Sequence, residues 1–88
     1  METAGNVSVQ LSVYPLRKVD LGPTIEAVLT ALEACGLHPE VGAMSTTVTG
    51  DVDKIFVALH AAFVKAASED QVVMTITVSN ACPVPAPR

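Results

Sequence analysis

Aromatic side chains and basic charge are both scarce in this 88-residue chain. Tyr14, Phe56 and Phe63 are its only aromatic residues and it has no tryptophan, so a core has to be assembled from Val, Ile, Leu, Met and Ala. Five basic residues stand against nine acidic ones, a formal net charge of −4, which argues against a partner gripped by its phosphate backbone and hence against nucleic acid. Cysteine is sparse as well. Cys35 and Cys82 lie 47 positions apart and form no CxxC pair, whereas a small secreted disulfide scaffold carries more bridges. No Cys/His cluster has zinc-ligand spacing. The apolar stretches are interrupted well short of the ~20 residues a membrane span requires. Met1–Asn6 carries Glu2 and no basic residue, unlike the start of a signal peptide. The expectation is a cytoplasmic protein with reduced thiols and neither a membrane nor a nucleic-acid partner.

Aliphatic residues are what the chain has in quantity. Half of it is hydrophobic and 16% is charged, too apolar a balance for a disordered chain, and the length suits one core rather than two. Residues 1–6 read as a disordered N-terminus, 7–80 as a single domain, and 81–88, with three prolines, as a loose tail.

Within the domain two periodicities alternate. Val7 to Tyr14 places Val7, Val9, Leu11 and Val13 on one side and Ser8, Gln10, Ser12 and Tyr14 on the other, the mark of a half-buried strand. After a loop over Pro15 to Gly22, Pro23 suits a first helical turn. Ile25, Val28, Leu29, Leu32 and Cys35 then fall on one helical face, ended by Gly36. Leu37 to Gly42 is a short edge strand containing Pro39, and a tight connection over Gly42 to Ser45 leads into a strand over Thr46 to Thr49. Asp51 is a natural N-cap for a second helix, whose core stripe reads as Val52, Ile55, Phe56, Leu59 and Phe63. Val57, Ala61 and Val64 fall on its outward side, a candidate second contact between subunits. Gln71 to Ser79 alternates again as a fourth strand. The order βαββαβ predicts an α+β, ferredoxin-like sandwich, a four-stranded antiparallel sheet with two helices on one face.

The helix-free face of that sheet is the informative one. It presents Ser8, Gln10, Ser12, Tyr14, Val73, Thr75, Thr77 and Ser79, with Ser45, Thr47 and Thr49 from the third strand and His38 and Glu40 from the second. A face meant for bulk water usually carries Lys and Glu; this one offers hydroxyls and amides at fixed positions. It suits packing against a second sheet, with a hydrogen-bonding ligand at the junction. Thr is also simply a good strand former.

Catalysis finds little support. His38 and His60 are the only histidine bases, and neither forms a Ser-His-Asp arrangement by spacing. Asp51 and Asp53 are better explained by helix capping than by acid–base work. The first loop lacks the Gly-rich phosphate cradle of an acylphosphatase-type enzyme and the cysteine pair of a soft-metal chaperone, and the strands lack the stacking aromatics of an RNA-recognition module. No catalytic residue, metal or cofactor is expected.

Val41-Gly42-Ala43-Met44-Ser45-Thr46-Thr47-Val48-Thr49-Gly50-Asp51 resembles the hairpin signature of the thiamine-binding, YkoF-like family, which reads approximately V-G-P-M-S-T-x-(V/L)-x-G-D/E. The opening Val9 to Leu16 looks like that family's first strand, and the resemblance extends over residues 7 to 80. Ala43 departs from the pattern's proline. The resemblance implies a ferredoxin-like subunit that pairs through its sheets into a homodimer or homotetramer. It further implies binding of thiamine or its hydroxymethylpyrimidine moiety without chemical conversion, in thiamine or pyrimidine supply or salvage. An aminopyrimidine needs donors and acceptors together, which Gln10, Ser12, Ser45, Thr46, Thr47 and Asn80 can provide. Tyr14 or Met44 can cover the ring, Gly42 belongs to the hairpin motif, and Glu40 is a counter-charge for a thiazolium. The alternative is a structural or regulatory self-association module with no small-molecule ligand.

Overall fold

The computed structural model describes residues 5–81. Its elements run β1 (Asn6–Pro15), α1 (Gly22–Ala34), β2 (Glu40–Val41), β3 (Thr46–Asp51), α2 (Val52–Ala67) and β4 (Val72–Ser79). The four strands form one sheet in the order β2-β3-β1-β4, and every neighbouring pair is antiparallel. This is the ferredoxin-like α+β arrangement the alternating periodicities predict. The two termini of the chain, with Cys82 and most of the proline-rich tail, lie outside the described residues. Among those described, no helix is long and apolar enough to cross a membrane.

Strand β1 owes its central place to its alternation. Val7, Val9, Leu11 and Val13 are all buried toward the helices, and the register sets Val9 beside Val48 on one flank and Val78 on the other. Residues directly opposite in an antiparallel pair share a face, so the core is built in rows across the sheet. Val28, Ala31 and Leu32 of α1 cover these rows together with Ile55, Ala58, Leu59, Ala62 and Ala66 of α2. Gly50 sits opposite Val7, and the space a Cβ would need there is filled by Leu37 Cδ2, only 2.9 Å from where that atom would lie.

The helix boundaries follow their signals. Pro23 occupies the first turn of α1, Cys35 is its C-cap, and Gly36 beyond it adopts φ +83°, a conformation glycine enters without the penalty of a Cβ. The Asp51 side chain accepts hydrogen bonds from the backbone N–H groups of Asp53 at 3.1 Å and Lys54 at 3.3 Å, capping α2. Cys35 is a free, half-buried thiol.

Two expectations are corrected. The second strand shortens from Leu37–Gly42 to Glu40–Val41, because Leu37 turns into the core instead of joining the ladder. In α2 the buried stripe is Ile55, Ala58, Leu59, Ala62 and Ala66, while Phe56 and Phe63 are half exposed. The helix is rotated by about 60° from the face its largest side chains suggest. Alanines at 58, 62 and 66 give it a flat inner side that lies close to its neighbours, and a phenylalanine there would hold the layers apart.

Candidate functional site

The side of the sheet away from the helices is a polar grid whose rows are fixed by strand register. Ser8 lies between Thr49 of β3 and Ser79 of β4. One row along, Gln10 lies between Thr47 and Thr77, and Glu40 of the edge strand extends the row beyond Thr47. Carboxylate, hydroxyl, amide and hydroxyl thus stand side by side across four strands. Strand spacing of about 4.8 Å makes that row about 14 Å long. The next rows hold Ser12 beside Thr75 and Tyr14 beside Val73.

The twist of the sheet turns part of this face into a concavity of about 560 Å³, lined by Ser8, Gln10, His38, Glu40, Thr47, Thr49, Thr77 and Ser79 with contributions from Val9 and Val48. Its volume lies within the ordinary range for small-molecule sites. Among the described residues His38 and Glu40 are its only ionisable groups, and both come from the edge at β2. The remaining lining offers hydroxyls, which donate and accept, and one amide that does both through separate atoms.

A hydrogen-bonded corner adjoins the concavity. Gln10 Nε2 donates to Ser45 Oγ at 3.0 Å, and Ser12 Oγ donates to the Met44 carbonyl at 3.2 Å. Gly42 N–H donates to the Ser45 carbonyl at 2.7 Å, closing the tight turn between β2 and β3. A Cβ on Gly42 would come within 3.1 Å of that same carbonyl, so the hairpin motif keeps a small residue where the turn is tightest. With its Nε2 tied to Ser45, the Gln10 side chain is oriented before any ligand arrives, which lowers the ordering cost of binding.

The sequence-predicted residues separate accordingly. Gln10 and Thr47 line the concavity. Ser12, Gly42, Met44 and Ser45 form the adjoining corner, with Met44 89% exposed and therefore covering nothing within one subunit. Tyr14 lies at the far end of β1, partly exposed on the same side, and Asn80 follows the end of β4. Thr46 is the correction: it is 6% exposed and pairs with Leu11 on the helix-covered side. Period two forces this, since Thr47 faces the grid and its neighbour must then face the core. Ser8, Thr77 and Ser79 belong to the concavity without belonging to the hairpin motif, and Thr49 occupies a position that the motif leaves open; the signal for all four is alternation combined with register.

Comparison with known proteins agrees with this architecture. No curated protein matches the sequence. A domain of unknown function, DUF77, from Bacillus cereus superposes with a TM-score of 0.71 at 23% identity, over 84% of this chain and 74% of its own. A candidate thiamine biosynthesis/salvage protein from Thermotoga maritima gives 0.73 at 21% identity, covering 84% of this chain and 82% of the other. A Streptococcus pneumoniae protein gives 0.76 at 23% identity, covering 85% and 86%. At these identities the likeness establishes the fold. The hairpin that builds the corner, the capped helix after it and the strand that carries Gln10 all lie within residues 6–85, which match the model of the YKOF-related family, and the chain belongs to that family.

Proposed function

We propose that the protein binds thiamine, or its hydroxymethylpyrimidine moiety, on the helix-free sheet face and does so without converting it. The observation that carries this reading is the row Glu40–Thr47–Gln10–Thr77 lying across a concavity of ligand size. An aminopyrimidine needs an acceptor for its exocyclic amine and donors for its ring nitrogens. The Gln10 carbonyl and the Thr47 and Thr77 hydroxyls offer both kinds within one row. The thiazolium carries a positive charge, and Glu40 at the end of the row is the carboxylate available to it. Family membership supports a thiamine-related role, and a Thermotoga maritima protein of the same fold is placed with thiamine biosynthesis or salvage.

The concavity is open on one side in a single subunit. A second subunit laid sheet to sheet closes it, buries the grid and strengthens each hydrogen bond by excluding water. A homodimer or homotetramer in the cytoplasm, handing over or sequestering the ligand, is the assembly that follows.

Titration calorimetry of the full chain with thiamine and with hydroxymethylpyrimidine tests the proposal. Saturable heat with at least one of them, ligand recovered unchanged, and loss of that heat in Gln10→Ala are the expected results. Absence of heat at millimolar ligand would sink it and leave the grid as a self-association surface.

A further inference from the structure

Positive charge is kept away from the open sheet face. Among the described residues no Lys or Arg lines the concavity, whereas Glu40 ends its central row. Arg17 donates to Gln71 and Lys18 pairs with Asp70. Both lie past Pro15, which is five residues and about 17 Å along β1 from Gln10, beyond the Debye length of about 8 Å in physiological salt. Lys65 is in the last turn of α2. The Lys54 ammonium reaches across the helix layer to the C-terminal end of α1, 3.5 Å from where a Cβ on Gly36 would lie. Arg88 is outside the described residues.

Backbone N–H groups are the other means of holding an anion, and the nearest helix N-terminus is already occupied. Period two places Asp51 after Thr47 and Thr49 in one column of β3, about 7 Å beyond Thr49, so α2 starts close to the concavity. The first N–H groups of a helix ordinarily suit a phosphate. Here Val52 N–H donates to the Gly5 carbonyl at 3.1 Å, and the N–H groups of Asp53 and Lys54 both donate to Asp51 Oδ2. A carboxylate of the chain itself thus stands where a phosphate would sit, and Asp53 adds a second one in the first turn. His38 lines the concavity two residues before Glu40 on the same edge, where that carboxylate opposes any positive charge on it.

We infer that the concavity selects its ligand by charge, accepting the cationic alcohol and rejecting its phosphate esters, with Glu40 as the specificity-determining residue. The inference rests on the thiamine reading of the same site and narrows the ligand to its unphosphorylated form. Thiamine carries its hydroxyethyl arm on the thiazolium ring. A ligand that sets this ring against Glu40 therefore brings its terminal oxygen toward the same carboxylate. A free hydroxyl there is uncharged and hydrogen-bonds to Glu40 or to water. A phosphate ester places about −1.5 to −2 charges in that position. Attraction to Glu40 then turns to repulsion, and neither a cation nor a free helix N–H among the described residues offsets it.

Titration calorimetry of the full chain with thiamine, thiamine monophosphate and thiamine diphosphate tests the inference, at about 0.05 M and about 0.5 M salt. At the lower salt thiamine is expected to bind at least about tenfold more tightly than either ester, and the gap should narrow at the higher salt as repulsion is screened. Glu40 is exposed on an edge strand, so Glu40→Gln leaves the core untouched. That variant should lose about threefold or more in thiamine affinity without weakening the esters, so the ratio falls by about threefold or more. Rejection by size alone would respond neither to salt nor to Glu40→Gln. Esters that bind within about threefold of thiamine, or a ratio unmoved by salt or by Glu40→Gln, overturn the inference and leave thiamine binding standing. Heat with hydroxymethylpyrimidine alone does the same, since that ligand has no thiazolium for Glu40 to meet. No heat with any of the four removes the thiamine reading and this inference with it.

Discussion

The two sides of β1 are made of alternating residues of one ten-residue strand and obey different rules. Toward the helices, Val7, Val9, Leu11 and Val13 are buried and interchangeable in kind, since what matters is volume and apolarity. Toward the open side, Ser8, Gln10, Ser12 and Tyr14 contribute little to a core and differ from one another in what they can donate or accept. One side carries stability and the other recognition. Because successive side chains point to opposite faces, the two tasks are separable one residue at a time.

Neighbouring substitutions should therefore have opposite consequences. Leu11 is 1% exposed in the centre of the core, and Leu11→Ala is expected to cost about 2–5 kcal/mol in urea unfolding, the largest effect here, while ligand affinity measured on the folded fraction survives. Its neighbour Gln10→Ala should leave unfolding almost unchanged but lose about 1–3 kcal/mol of ligand binding by calorimetry, through removal of the oriented amide. Equal losses of stability in both variants would break the comparison.

The pair Thr46 and Thr47 sharpens it. Thr47→Val should weaken binding about fivefold or more and leave the melting temperature in place, whereas Thr46→Val, which removes a hydroxyl on the covered side, should change stability by about 0.5–1.5 kcal/mol and leave binding intact. Asp51→Ala removes the cap of α2 and is expected to cost about 1 kcal/mol by urea unfolding with no effect at the grid.

The smallest effect concerns a rim pair remote from both surfaces. Lys18 Nζ lies 2.9 Å from Asp70 Oδ1, and the hydrogen bond and charge of Asp70 raise the lysine above its ordinary 10.5. A raised lysine stabilises the fold below its unfolded value, and that contribution is lost as pH climbs through the raised one. Both side chains reach solvent, so the gain is slight. Comparing the alkaline melting profile with that of Lys18→Met should show a small difference near neutrality that vanishes above the raised value.

Much of this was legible in the residues. The alternation of β1 and β4, Pro23, Gly36 and the Asp51 cap define the elements, and their order defines the sandwich. The open face was legible too, because period two assigns sides once one side is known to be buried. What misled was size. In α2 the large side chains suggested a stripe through Phe56 and Phe63, yet helical periodicity tolerates a rotated face when the alternative is lined by alanine. In the hairpin motif, consecutive Ser45, Thr46 and Thr47 are chemically alike and a motif does not record that Thr46 faces inward.

Local chemistry, read without coordinates, determined the elements, their caps, the topology class and the polar character of one sheet face. Those depend on near neighbours in the chain, through backbone sterics, capping and periodicity. Tertiary structure alone decided which hydroxyls of different strands share a row and that Gln10 is held by Ser45, 35 residues away. It also decided that both phenylalanines look outward. Each of these is set by register or by the approach of packed layers, quantities that exist only once distant segments meet.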